Sequence, residues 1–123
     1  MLNGMKEDIM CVRGNCDTEV DQMVLEFPVM ADYAIVDIGG QLLYLTHGHV
    51  YNCSNLPPLK KGDILFNGHT HVPKCEFVGD VLYMNPGSVS IPKENSEHSY
   101  MIVEDGKFEW KNLDGEIYME YNK

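Results

Sequence analysis

Gln41-Leu42-Leu43-Tyr44-Leu45-Thr46-His47-Gly48-His49 is a short apolar run that leads straight into a pair of histidines, and Asp63-Ile64-Leu65-Phe66-Asn67-Gly68-His69-Thr70-His71 does the same again. Each apolar run is too short for a helix and is closed by glycine and polar residues, so each reads as a buried strand that stops where the histidines begin. Four of the five histidines fall in these two H-x-H pairs. Random placement in a chain of this composition gives about 0.16 such pairs, so the repetition is not accidental. Imidazoles at the ends of strands stand on a rigid base beside loops, the usual seat of function. Neutral imidazole is also the commonest metal ligand among side chains. Such histidines can instead cap strands or bond backbone groups, but two pairs with the same placement favour the ligand reading.

The rest of the chain is also strand-like. Tyr33 to Ile38, Gly39-Gly40 and Gln41 to Leu45 form a hairpin pattern with a two-residue turn. Cys75 to Val78 and Val81 to Met84 flank Gly79-Asp80, and Ser99 to Glu104 and Lys107 to Lys111 flank Asp105-Gly106, two further hairpin signals. Glu116 to Tyr121 alternates well enough for a last strand, and Ile9 to Arg13 reads as a buried strand that stops at Gly14-Asn15. Thr18 can cap a short helix from Glu19 to Leu25, ended by Phe27-Pro28. No repeat, low-complexity segment or convincing βαβ unit is visible. The pattern predicts a strand-rich α/β (α+β) domain with one or two short helices.

The composition narrows the function. With 123 residues the chain fits one domain. Nineteen acidic residues against nine basic ones leave a net charge of -10, which repels phosphate backbones and anionic membrane surfaces, so neither nucleic acid nor membrane is an expected partner. No apolar run approaches the roughly 18 residues of a membrane span, and Met1 to Asp8 has no secretory pattern, so a cytoplasmic protein is expected. The cysteines Cys11, Cys16, Cys53 and Cys75 form no C-x-x-C and are expected to remain thiols, Cys11 and Cys75 as small hydrophobes.

A third strand-to-loop junction carries Gly14-Asn15-Cys16-Asp17, where glycine permits a sharp turn and Asn15 offers a carbonyl oxygen to a cation. Gly-Asn alone is a common turn. Together, however, Val12-Arg13-Gly14-Asn15-Cys16-Asp17, Leu45-Thr46-His47-Gly48-His49, Asn67-Gly68-His69-Thr70-His71 and the Asn85 to Lys93 loop, in this order, resemble the calcineurin-like metallophosphoesterases, in particular their small bacterial and archaeal phosphodiesterase branch. The resemblance implies a β-sandwich with flanking helices and the hydrolysis of phosphate esters by a metal-activated hydroxide. It implies that Asn15, His47 and His69 hold one divalent metal and that His71 belongs to a second. Mn is the expected ion, and Fe, Ni or Zn would accept the same ligands. Cys16 stands where many relatives carry a catalytic histidine. Thiol is a weak proton donor, so substrates with good leaving groups are favoured. His49 is placed either to supply the proton or to orient a neighbouring ligand, and Arg13 either to contact the phosphate of a small ester or to be a surface charge. The Asn85 to Ser90 loop is read as structural, and His98 as an ordinary surface residue.

Family members open with a strand ending in D-x-H and a second ending in G-D, and neither motif occurs here. The resemblance thus implies a single partial domain over residues 1–123, lacking the N-terminal strands and the carboxylate that bridges the two metals. At most one well-formed metal site and little turnover are expected of such a chain, with a homo-oligomer covering the place of the absent strands. A non-catalytic scaffold or a metal-binding remnant of the same fold is the alternative.

Overall fold

The computed structural model describes residues 2–14, 19–48, 56 and 59–122. Strand β1 (Tyr33–Ile38) turns back on β2 (Gln41–Thr46) in the expected register, with Ile38 opposite Gln41. Gly39 and Gly40 both lie in the left-handed region, at φ 62° and 85°, as a two-residue turn matched to the strand twist requires. The Asp37 carboxylate accepts the Gly40 N–H at 2.9 Å and closes the turn.

Strands β3 (Ile64–Phe66), β4 (Lys74–Val78) and β5 (Val81–Asn85) complete a sheet of order β1-β2-β3-β5-β4. The β2–β3 and β3–β5 pairs are parallel, while the two hairpins at the edges are antiparallel. A second sheet, β6 (Ser99–Glu104), β7 (Lys107–Asn112) and β8 (Ile117–Asn122), is an antiparallel meander whose first turn is Asp105-Gly106.

The two sheets meet along one face. Leu43, Ile64, Leu82 and Met84 of the first pack against Phe108 and Trp110 of the second, all buried. Each such side chain contributes about 1.5–3 kcal/mol by leaving water. Tyr44, Leu65, Val81 and Tyr83 form a second cluster on the opposite face, against Leu59. The central strands are therefore covered on both sides, which is why they read as unbroken apolar runs rather than alternating ones. Cys75 packs against the first cluster, where burial pushes its thiol pKa up, in keeping with a small hydrophobe.

Helix α1 (Glu19–Val24) forms as expected, with its anticipated cap Thr18 outside the described residues. A 3-10 segment, Leu2–Asp8, lies beside it: Asn3 donates to the Val24 carbonyl at 2.9 Å and accepts the Glu26 N–H at 2.8 Å. No helix among the described residues is long and apolar enough to cross a membrane.

One expectation needs correction. Ile9 to Arg13 is not a strand: the Arg13 N–H donates to the Ala31 carbonyl at 2.7 Å, but no ladder runs along the segment among the described residues. An apolar run becomes a strand only where a neighbour supplies the alternating bonds. The parallel centre of the main sheet lies beyond the hairpin signals, which report only local pairing.

Candidate functional site

Because β2 and β3 are parallel, their C-terminal ends leave the sheet on the same edge, and this brings His47 and His69 together. The turns then bond directly. The His47 carbonyl accepts the N–H groups of both Gly68 (3.0 Å) and His69 (2.7 Å). The two imidazoles stand edge to face, with ring centroids 5.0 Å apart. Gly48, which follows His47, has φ 115°, and a Cβ there would lie 2.9 Å from the His69 Cβ and 3.2 Å from the Asn67 Cγ. Only glycine permits this approach.

His71 has φ 62°, and its N–H donates to the Gly68 carbonyl at 3.0 Å. Its Nδ1 lies 2.8 Å from the Ile91 carbonyl oxygen. A carbonyl can only accept, so Nδ1 carries the hydrogen and, in the neutral ring, Nε2 keeps its lone pair for a cation or a proton. That arrangement is the one metal-binding histidines usually show.

A buried polar group underlies the His69 turn. Tyr83 donates to the Asn67 side-chain oxygen at 2.7 Å, and Asn85 donates from Nδ2 to Thr70 Oγ1 at 3.0 Å and to the Tyr83 oxygen at 3.3 Å. Asn85 is fully buried, accepts the Gly87 N–H on its own Oδ1, and its backbone carbonyl accepts Trp110 Nε1 at 2.8 Å. The Ser99 hydroxyl donates to the Pro86 carbonyl, and the Ser88 hydroxyl accepts the Ile91 N–H. The Asn85 to Ser90 loop thus has the bonding of a structural turn. The sequence marks Asn85 only as the first residue of that loop and Tyr83 only as part of an apolar strand. The available signal was a lone asparagine ending an otherwise apolar strand.

Arg13 is part-buried, and its Nε is buried without a hydrogen-bond partner among the described residues, a donor that an anion could satisfy. His98 is exposed, with Nδ1 2.8 Å from the Val89 carbonyl. Asn15, Cys16 and His49 lie outside the described residues. Among the described residues no three His, Cys, Asp or Glu side chains gather closely enough to hold an ion. The imidazole nitrogens of His47, His69 and His71 are of the donor type that borderline divalent cations take. A cleft of about 650 Å³ opens at the far end of β2 and β3, among Gly39, Gly40, Gln41, Lys61 and Asp63, and contains none of the histidines.

Residues 1–106 match the calcineurin-like phosphoesterase superfamily domain. The chain is 48% identical over 103 residues to the phosphodiesterase YfcE of Escherichia coli, a match covering 84% of this chain and 56% of that protein. It is 27% identical to a probable metallophosphoesterase, YsnB, of Bacillus subtilis, over 75% of this chain and 54% of the other. The chain thus spans little more than half the length of these curated relatives. Among solved structures it is similar to the E. coli YfcE phosphoesterase, with a TM-score of 0.92 and 42% identity over 98% of this chain and 67% of that one. A predicted phosphoesterase from Streptococcus pneumoniae gives a TM-score of 0.66 at 26% identity, over 91% of this chain and 69% of that one.

Proposed function

Because the chain belongs to the calcineurin-like phosphoesterase superfamily, we propose that it contributes part of a metal-dependent phosphodiesterase site acting on small phosphate esters in the cytoplasm. The observation that carries this reading is the joined pair of histidine turns, His47 and His69, with rings 5.0 Å apart at the ends of two parallel strands. Membership of the family implies divalent metal chemistry. Asn15, His47 and His69 would hold one cation and His71 would serve a second, with Mn expected. When bound, such ions polarise the phosphoryl oxygens and lower the pKa of the attacking water.

The chain's own residues do the positioning. The His47 carbonyl fixes the His69 backbone, and the Ile91 carbonyl fixes the His71 tautomer. The buried Arg13 Nε, without a partner among the described residues, would take a phosphoryl oxygen, with charge-assisted bonding that also relieves its desolvation. Cys16 and His49 are the candidates for proton delivery to the leaving oxygen. Cys16 does this weakly, so aryl esters are the favoured test substrates. The net charge of -10 supports a small substrate over a nucleic-acid polymer.

Purified chain with added Mn should be assayed for metal content and for bis(p-nitrophenyl) phosphate hydrolysis, beside a His69→Ala variant. Slow metal-dependent turnover that the variant loses is the expected result. Bound metal without turnover would favour a metal-binding remnant, and neither metal nor turnover would sink the reading.

A further inference from the structure

We propose that Tyr83 and Asn85 of β5 form a clamp that positions His69 by gripping the residues on both sides of it. This rests on the phosphoesterase reading for its purpose but not for its geometry. His69 itself sits on an exposed turn, where a backbone would ordinarily be loose. Yet the side chain of Asn67, two residues before it, is held by the Tyr83 hydroxyl at 2.7 Å. The side chain of Thr70, one residue after it, accepts from Asn85 Nδ2 at 3.0 Å. The second Nδ2 hydrogen goes to the Tyr83 oxygen at 3.3 Å, so the two grips are parts of one unit.

The unit is anchored from beneath. Asn85 is wholly buried, both of its amide hydrogens are used, and its Oδ1 accepts the Gly87 N–H. Its carbonyl takes the Trp110 indole N–H at 2.8 Å, which ties it to the opposite sheet. A buried polar network with its members satisfied is rigid and cannot shift piecemeal, because each broken bond strands a desolvated group. Packing alone would be served equally well by phenylalanine at position 83, while Asn85 also holds the Gly87 turn through its Oδ1. The choice of tyrosine and asparagine, with the Tyr83 hydroxyl and Asn85 Nδ2 bonded to residues on either side of one histidine, assigns them a positioning role.

The test compares Tyr83→Phe with Ile64→Val, a core change that lowers stability without touching the network, both in the metal-free chain. Amide hydrogen exchange at His69 and His71 should accelerate about tenfold in Tyr83→Phe beyond the change in the rest of the chain, and only in step with the rest in Ile64→Val. Thr70→Val, at an exposed position, opens the other grip and should act in the same direction if Tyr83→Phe folds poorly. Mn(II) binding, followed by electron paramagnetic resonance, should weaken about tenfold in Tyr83→Phe and stay unchanged in Ile64→Val. Uniform exchange changes in all variants would overturn the clamp. If the parent chain binds no Mn(II) while the exchange pattern holds, the clamp stands and the phosphoesterase reading falls.

Discussion

Gly48 shows how much of a site can depend on an atom that is missing. At φ 115° it is in a region that side chains rarely adopt, and the space a Cβ would take is already filled by His69 and Asn67. Gly40 has a comparable φ of 85° but open space around it, so it separates backbone strain from steric conflict. Gly40→Ala should cost about 1 kcal/mol from the left-handed backbone alone. Gly48→Ala should cost about 1–3 kcal/mol more, because the His69 and Asn67 side chains must give way. Urea denaturation of the two variants measures the difference, and equal losses would mean that His69 is free to move aside. The glycine is visible in the sequence as the x of an H-x-H pair. What it excludes is not, because the conflicting atoms come from the loop that follows β3. Tyr83 and Asn85 were hidden for the same reason, since their partners Asn67 and Thr70 lie on the loop that follows β3.

At the scale of elements, legibility followed distance along the chain. The three hairpins were readable because a two-residue glycine turn fixes both strands and their register locally. The parallel β2–β3 pairing was not, because its register is set by packing after a long crossover rather than by a turn. The Ile9 to Arg13 run has the composition of a strand, yet composition cannot supply the neighbour a strand needs. The first hairpin also offers a direct check on its turn. Gly39 has φ 62° with nothing near its missing Cβ, a conformation asparagine tolerates and one where Asn-Gly is the favoured pair. Gly39→Asn should therefore stabilise the protein by about 0.5 kcal/mol, chiefly by narrowing the unfolded ensemble. A lowered thermal midpoint would show that the turn is held by something other than its own geometry.

At the scale of the whole molecule, the two sheets are unequal, five strands facing three. Among the described residues, strands β1 and β4 end the wider sheet and β6 and β8 the narrower one. On β1 the apolar side chains of Tyr33, Ile35 and Ile38 are exposed, and on β8 those of Ile117 and Tyr118. In the YfcE structure that it resembles, this chain accounts for 67% of the length. Exposed apolar edges of this kind favour pairing with another copy, while a net charge of -10 on each copy opposes it. The opposition is electrostatic and weakens as the Debye length falls from about 10 Å at 0.1 M salt to about 3 Å at 1 M. The apolar contribution does not weaken in the same way. Light scattering after gel filtration should therefore give a mass above the 14.0 kDa of one chain, rising as salt is added. Ile35→Lys places a charge on the exposed face of the β1 edge, the device natural edge strands use against pairing, and should return the chain to a monomer. A monomer at every salt concentration would mean that these edges are covered within a single copy, and an oligomer untouched by Ile35→Lys would move the interface to β8.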